Sequence, residues 1–361
     1  MTDLLAIYVY PFVLVSAMLA FLGLTKGLSR YSIVGVFFIF ISSVLLLLLR
    51  DPLAPADSRN YLWMYKEQKN FNNIFNAYHG NVFFSFTQYL GNLAGLSFET
   101  FFIIQTLFFY LLSFIGLRLI FQSNKMFLMS LSFFVLTSTF VFLFTNVVRQ
   151  GLALSLILLA AGLFIKNYRF SGYFALFLAI FSHFSTIVVA GIFFVVRNTN
   201  INVRYVFFLI LILPFVPIFS QFFLANLGVM GGFFQKIESF SSKDYNNNLV
   251  YFKVIILYFS LVVFYYIGRY RQAFNNDGYF FIFKVYMLIV FFVMFTLPVL
   301  LLSSRYLYYA SALLPILYTF VLFHRPNIIS IHARFYFGLL MSVVFGLFVY
   351  SFHATRMQLG I

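Results

Sequence analysis

Charged residues are scarce in this chain, and cysteine is absent. Only 9% of the 361 residues are charged and 63% are hydrophobic, whereas soluble domains carry about 25% charged residues. The mean hydropathy of +0.99 therefore excludes a soluble globular protein, because so much apolar surface needs lipid as its solvent. The absence of cysteine excludes disulfides, Cys-ligated zinc and thiol chemistry.

Long apolar runs take the place of the missing charges. A helix of about 20 apolar residues can cross a bilayer, and these runs do not alternate as the strands of a membrane barrel do. The runs lie at 4–24, 31–49, 98–117, 126–145, 147–165, 205–227, 249–268, 279–302, 305–323 and 335–353. We predict an all-α polytopic membrane protein with about ten full transmembrane helices, forming a single transmembrane domain over 1–361.

The apolar stretch 170–196 has two interpretations. A helix of fourteen residues from Arg169 rises only about 21 Å, which falls short of a hydrocarbon core of about 30 Å. As a single span, the stretch would place Arg269 and Arg271 outside. As a broken, re-entrant hairpin of two short helices interrupted near His183, it returns to its starting side.

The distribution of basic residues favours the hairpin, because positive charge concentrates on the inner side of a membrane protein. With the hairpin and an outside N-terminus, the inner side holds 13 of the 23 basic residues and one of the 8 acidic residues. The net charge of +15 is then mostly a topology signal. It predicts no nucleic-acid partner.

Two outer loops are long enough to contribute to a site. The loop 50–97 contains two stretches with the pattern of amphipathic interfacial helices, one after Asp57 and one from Phe83 to Leu96. Asp57 is also a candidate helix cap. The loop 228–248 is rich in Gly, Ser and Asn and is a candidate lid.

Three cations lie near the outward starts of predicted helices. Arg149 follows Asn146, Arg305 opens a helix after Ser303 and Ser304, and Lys253 lies just inside its helix. A cation is unfavourable at the positive end of a helix dipole unless an anion is bound there. The alternative interpretation is snorkelling, in which the side chain reaches the lipid headgroups.

His183 is the other ionisable outlier, because it would lie below the outer membrane surface. An ionisable group at such a depth is a functional-site hypothesis, and the alternative is a buried histidine bonded to a neighbouring carbonyl. No histidine pair has i, i+4 spacing and the acids are scattered, so we predict no metal site.

Four segments, in order, resemble a known family. The run from Asn146 to Ala153 (NVVRQGLA) resembles the R-Q-G-hydrophobic-A signature of the EpsG-like branch of Wzy polymerases, which assemble bacterial O-antigen and exopolysaccharide chains. The segment FSHFS around His183 resembles the hydrophobic-x-H-x-S signature of that family.

Two further elements extend the resemblance from about residue 50 to about residue 325. Asp57 with Tyr61 and Tyr65 resembles the D-x-x-x-Y-x-x-x-Y segment of the family, and Arg305-Tyr306 resembles its late Arg-Tyr element. The chain departs from the family at 58–60 (SRN), where a plainer spacer is usual, so the resemblance supports no role for the arginine there.

The resemblance implies a GT-C-like glycosyltransferase that needs no metal, nucleotide or other cofactor. Its implied partners are undecaprenyl-diphosphate-linked oligosaccharides and the lipid bilayer, with a chain-length regulator as a further candidate. One lipid-linked chain is the donor, and a sugar hydroxyl of another attacks its anomeric carbon with inversion. The implied location is the bacterial inner (cytoplasmic) membrane, with the active site facing the periplasm.

The predicted site has three parts. The diphosphate leaving group is bound by Arg149, Arg305, Gln150 and Lys253. The general base is His183, with Asp57 as the alternative. The aromatic rings that stack on sugars are Tyr61, Trp63 and Tyr65.

Three other functions remain open on the sequence alone. A transporter or flippase for lipid-linked sugars would also have many helices, but internal symmetry is expected there and the sequence shows none. An O-antigen ligase would share the substrate and the phosphate-binding residues. A non-catalytic scaffold would not need cations at outward helix starts.

Overall fold

The chain is helical throughout the residues that can be described. The computed structural model describes residues 2–22, 31–53, 57–75, 81–199, 201–227, 247–270 and 272–323, and every regular element in these ranges is a helix. Seven described helices are long and apolar enough to cross a membrane, or eight if one bent pair is counted as a span. The all-α membrane fold is confirmed, whereas the predicted count of ten is not. The run 335–353 and residues 228–246 of the candidate lid lie outside the described residues.

The described residues form two compact units, the first up to Ala190 and the second from Gly191 onward. The helices of the first unit are α1 (Thr2–Leu22), α2 (Ser32–Leu49), α3 (Ser58–Glu67), α4 (Val82–Leu93), α5 (Phe98–Ile120), α6 (Asn124–Val135), α7 (Ser138–Thr145), α8 (Val148–Ile165) and α9 (Arg169–Ser182). Helix α10 (Thr186–Asn198) begins in the first unit and ends in the second.

The second unit contains a further set of helices. They are α11 (Val203–Ile212), α12 (Val216–Leu227), α13 (Asn247–Tyr270), α14 (Asp277–Phe295) and α15 (Leu300–Phe323), with short 3-10 turns at Leu213–Phe215 and Ala273–Asn275. Tyr279 and Tyr286 of α14 donate hydrogen bonds to backbone carbonyls of α13, at 2.8 and 3.0 Å. These bonds tie α13 to α14.

Helices α5 and α8 form the centre of the first unit because small residues let their backbones touch. A Cβ added to Gly116 of α5 would lie 2.5 Å from the backbone carbon of Leu158 in α8, so only glycine fits there. Ser113 donates to Ser155 across the same pair of helices at 2.9 Å. Packing of small residues with interhelical hydroxyl bonds is the usual way in which membrane helices associate, and here it fixes the position of α8.

The segment 50–97 contains two helices, α3 and α4, where the sequence predicts amphipathic helices. Tyr65 of α3 donates its hydroxyl proton to the carbonyl of Leu96, at 2.8 Å. The side chain of Asn92 in α4 donates to the carbonyl of Tyr65 at 2.7 Å. Both amphipathic helices are therefore tied to each other and to the start of α5.

The predicted helix 126–145 is wrong as a continuous element. It is divided into α6 and α7, which are bent by 70° relative to each other. The Thr137 hydroxyl donates to the carbonyl of Phe134 at 2.7 Å and accepts the N–H of Phe140 at 3.2 Å. One side chain thus satisfies the end of one helix and the start of the next, which makes a break possible without glycine or proline.

Two other predicted boundaries move because of proline. The predicted run 205–227 is interrupted by the 3-10 turn Leu213–Phe215, where Pro214 has no N–H to donate. The predicted runs 279–302 and 305–323 are separated by the turn 296–299, which contains Pro298. Helix α15 therefore begins at Leu300 and not after Ser304.

The prediction of two short helices around His183 is confirmed. Helix α9 ends at Ser182 and α10 begins at Thr186. His183 has an extended backbone (φ −156°, ψ 112°), and its carbonyl accepts the N–H of Thr186 at 2.9 Å.

Candidate active site

Two of the three family-like segments of the first unit meet at the start of α8. The backbone N–H of Asp57 donates to the side-chain oxygen of Asn146, at 3.1 Å. Asn146 closes the turn between α7 and α8, and Arg149 lies in the first turn of α8. The residue before α3 is thus bonded directly to the segment that carries the predicted phosphate ligand.

Arg149 lies over the ring of Tyr61. The central guanidinium carbon is 5.7 Å from the ring centroid, within the range of a cation–π contact. Arg149 is half-buried, and Tyr61 is only 2% exposed. Burial raises the pKa of Tyr61 and the nearby charge of Arg149 partly offsets this, so the phenol stays neutral at physiological pH. The ring therefore supports the guanidinium as a neutral aromatic surface.

Tyr61 is itself fixed where three helices meet. Its ring centroid is 5.7 Å from that of Phe84 in α4 and 6.0 Å from that of Phe102 in α5. One turn later, the ring of Tyr65 stacks on Phe101 at 4.8 Å, and this tyrosine is 4% exposed. Both tyrosines pack inside the protein and have no ring face open to a sugar in this structure. Of the three predicted sugar-stacking rings, Trp63, at 48% exposure, presents an open surface.

Gln150 and Gly151 lie on the buried side of α8. Gln150 is fully buried, whereas Arg149 is half-buried. Consecutive residues on a helix point to different faces, so the two side chains have different surroundings. A Cβ at Gly151 would collide with the carbonyl oxygen of Leu143 in α7. The close approach of α7 and α8 therefore needs glycine immediately after the predicted diphosphate ligands.

Asp57 precedes α3 without capping it. Its carboxylate makes no capping hydrogen bond to the first turn of α3, so the candidate role as a helix cap is wrong. The residue lies four positions before Tyr61, and its backbone carbonyl accepts the N–H of Tyr61 at 3.1 Å.

His183 belongs to the same unit as Arg149. It is 9% exposed and follows α9, which packs against both α8 and α4. The helix that ends at the predicted general base is thus in contact with the helix that carries Arg149 and with α4.

The other two predicted cations lie in the second unit. Lys253 is in the second turn of α13 and its side chain is exposed. Arg305 is half-buried in the second turn of α15, so the prediction that it opens a helix is wrong. The dipole effect fades within the first turn, and the dipole argument therefore applies to Arg149 more strongly than to Arg305. The next residue, Tyr306, packs edge-on against Phe292 at 4.8 Å.

One residue near the site was not singled out from the sequence. Arg50 ends the apolar run of α2 and is followed by Asp51 and Pro52, a pattern that is typical of an ordinary surface loop. In the structure Arg50 is 0% exposed and its guanidinium carbon lies 4.8 Å from the ring centroid of Phe102. An arginine directly at the end of an apolar run was the one available signal.

Among the described residues, no group of three or more His, Asp or Glu side chains gathers as metal ligands would. The arrangement offers a half-buried cation at the start of α8, and a histidine at a helix break in the same unit. Such a cation, with backbone N–H groups that have no intrahelical acceptor, suits a phosphate oxygen.

Comparison with known proteins gives one match. No curated protein and no solved structure matches the chain. The model of the EpsG family matches residues 35–359, which is nearly the whole chain and includes every residue of the predicted site. The chain belongs to the EpsG family, a family of polysaccharide polymerase-like membrane proteins.

Proposed function

We propose that this protein is a polymerase that joins undecaprenyl-diphosphate-linked oligosaccharide repeat units at the periplasmic face of the inner membrane. The product is O-antigen or a related polysaccharide. The reaction is an inverting glycosyl transfer that uses neither metal nor nucleotide. The observation that carries the proposal is the position of Arg149 in the first turn of α8, seated over the buried ring of Tyr61.

The diphosphate of the donor binds at Arg149. A guanidinium forms paired hydrogen bonds to phosphate oxygens, and the first N–H groups of α8 add donors beside it. As the bond between the sugar and the diphosphate breaks, negative charge grows on the leaving oxygen. A cation already fixed in place stabilises that charge without reorganisation. Arg305, in the second unit, remains a predicted diphosphate ligand, and Lys253 remains a weaker one because it is exposed.

The acceptor hydroxyl attacks the anomeric carbon of the donor sugar. A new C–O bond forms there as the C–O bond to the diphosphate breaks, and the leaving diphosphate takes the bonding electron pair. The hydroxyl proton passes to the imidazole of His183. The carboxylate of Asp57 is the alternative base. Undecaprenyl diphosphate then leaves through the bilayer.

The exposed ring of Trp63 is the proposed sugar-stacking surface. The buried rings of Tyr61 and Tyr65 act on the site indirectly in this proposal: Tyr61 supports Arg149, and Tyr65 ties α3 to α4 and α5. This division separates residues that touch the substrate from those that position them.

The test is a reaction of purified protein with a synthetic lipid-linked repeat, in wild-type and Arg149→Ala forms. Arg118→Ala is a matched control, because the Arg118 guanidinium also lies 5.7 Å from a ring centroid, that of Phe127. Arg118 lies near the end of α5, far from Phe102 at the start of that helix. We expect polymer ladders from wild type and from the control and none from Arg149→Ala. Transport of the repeat without new glycosidic bonds would replace the polymerase with a transporter.

A further inference from the structure

Arg50 is a fully buried cation that reaches two helices next to the candidate site. Its Nη1 donates to the backbone carbonyl of Phe144 in α7 at 2.8 Å, and its Nη2 donates to the hydroxyl of Thr106 in α5 at 2.7 Å. The residue itself follows directly after α2. One guanidinium thus joins the end of α2 to α5 and α7.

The burial of this charge is unfavourable by itself. Within the part of the chain that the structure describes, the two acceptors are neutral and Nε has no hydrogen-bond partner. Burial lowers the pKa of the Arg50 guanidinium to about 9, so the group is still a cation at neutral pH. A buried charge whose hydrogen-bond acceptors are neutral is costly even though the charge of Asp51 offsets part of the cost. In a membrane protein such a group is a functional-site hypothesis.

The contacts of Arg50 lead to Arg149 along the backbone. Phe144 lies in the last turn of α7, whose free carbonyls form the negative end of the helix dipole. A cation at that end fixes the turn 145–147, and α8 begins directly after it. Since Arg149 is the second residue of α8, a shift of this turn moves its guanidinium and the first N–H groups of α8 together.

A second set of contacts leads to Arg149 through aromatic rings. The Arg50 guanidinium is 4.8 Å from the Phe102 centroid, Phe102 is 6.0 Å from Tyr61, and Tyr61 is 5.7 Å from the Arg149 guanidinium. The two cations thus lie against one continuous aromatic cluster formed by Phe102 and Tyr61. The side-chain route and the backbone route end at the same residue.

We propose that Arg50 is a positioning residue of the anion site, which holds the α7–α8 turn so that Arg149 and the first N–H groups of α8 face the diphosphate together. This inference rests on the proposed function, because it assigns Arg50 to the same diphosphate site. Arg50 does not touch the substrate in this proposal. Its buried guanidinium acts through its contacts with Phe144, Thr106 and Phe102.

The test is a double-mutant cycle with inorganic pyrophosphate as the probe. Pyrophosphate affinity and thermal stability are measured on the full chain in detergent, for wild type, Arg50→Met, Arg149→Met and the double variant. We expect Arg149→Met to weaken binding by about tenfold or more, and Arg50→Met by roughly fivefold. In the Arg149→Met background, we expect Arg50→Met to add less than about twofold.

Two further variants separate positioning from general stability. Arg118→Met is the matched control, because Arg118 also bonds helix-terminal carbonyls, those of Phe121 and Gln122. It should lower the melting temperature with no change in pyrophosphate affinity. Thr106→Val removes one hydrogen-bond acceptor of Arg50 and should weaken pyrophosphate binding, as Arg50→Met does. It tests the positioning role even if Arg50→Met fails to fold.

The outcomes distinguish this inference from the proposed function. Equal losses from Arg50→Met in both backgrounds, or wild-type affinity in Arg50→Met and Thr106→Val, would overturn the positioning role alone. Wild-type pyrophosphate affinity in Arg149→Met would overturn the anion site and the proposed function with it.

Discussion

Helices α8 and α13 have the same pattern in the sequence but lie in different environments. Each is a long apolar helix with a cation near its predicted outward start, Arg149 in α8 and Lys253 in α13. In α8, 78% of the residues are buried within the protein, against 39% for the most apolar stretch of α13. Arg149 lies over Tyr61, whereas the side chain of Lys253 is exposed.

The difference shows that a cation at a helix start does not by itself indicate an anion-binding site. On a largely exposed helix the side chain can reach lipid headgroups, and its charge is then neutralised there. On a buried helix it is held by neighbouring side chains and stays at the positive end of the dipole, where it awaits an anion. Four mutations test whether this contrast governs activity.

The largest effect is expected for Arg149→Ala. Loss of a fixed cation from the leaving-group site should reduce polymer formation by about a thousandfold, the upper range for one electrostatic donor. Polymer ladders from a lipid-linked repeat measure the rate, and a thermal melt verifies folding. Arg149→Lys keeps the charge without the paired hydrogen bonds, so it should recover only part of the activity. Wild-type ladders from Arg149→Ala would remove the contrast between the two helices.

His183→Ala is expected to reduce the rate by about a hundredfold, the usual contribution of a general base. Single-turnover rates with the donor and acceptor at saturation separate this chemical effect from binding. Asp57→Asn is the comparison variant. A larger loss from Asp57→Asn than from His183→Ala would assign the base role to Asp57.

Tyr61→Leu tests the comparison of α8 with α13 directly, because it removes the ring under Arg149. Arg149 would then be held less firmly, as the exposed Lys253 is. Loss of the ring under the guanidinium should raise the KM for the lipid-linked donor by roughly fivefold, corresponding to about 1 kcal/mol of cation–π energy. Tyr61→Phe is the comparison variant, since it keeps the ring and removes only the hydroxyl, which also forms hydrogen bonds with Arg149. Equal KM values for the two variants would show that the ring does not support Arg149.

The smallest effect is expected for Lys253→Ala. An exposed cation contributes about 1 kcal/mol or less, so polymer yield should fall by no more than about threefold. The measurement is the same ladder assay, carried out beside Arg149→Ala at matched protein levels. A loss as large as that of Arg149→Ala would mean that exposure in α13 does not predict function.

The sequence predicted the break near His183 from the distribution of basic residues, and α9 and α10 lie on either side of it. Fourteen residues from Arg169 to Ser182 are too few to cross the hydrocarbon core, and this limit depends on length alone. The start of α8 after Asn146 was predicted equally well, because a polar turn precedes a long apolar run.

The break between α6 and α7 could not be predicted in the same way. The run 126–145 contains neither glycine nor proline, and its interruption depends on two hydrogen bonds of Thr137 that form only in the folded chain. Arg305 shows the opposite error, since Pro298 was a visible signal for a boundary that we had placed later, at Ser303 and Ser304.

The sequence by itself determined that the chain is a helical membrane protein, and it gave the order of the family-like segments. Both follow from composition and local spacing. Only the tertiary structure decided that Tyr61 and Tyr65 face inward, that Arg50 is buried beside Phe102, and that Arg149 lies over an aromatic ring whereas Lys253 is exposed. The physical reason is that the sequence specifies whether a side chain carries a charge or an aromatic ring, but not which side chains surround it. These neighbours come from helices distant in sequence, and they set what the charge can bind.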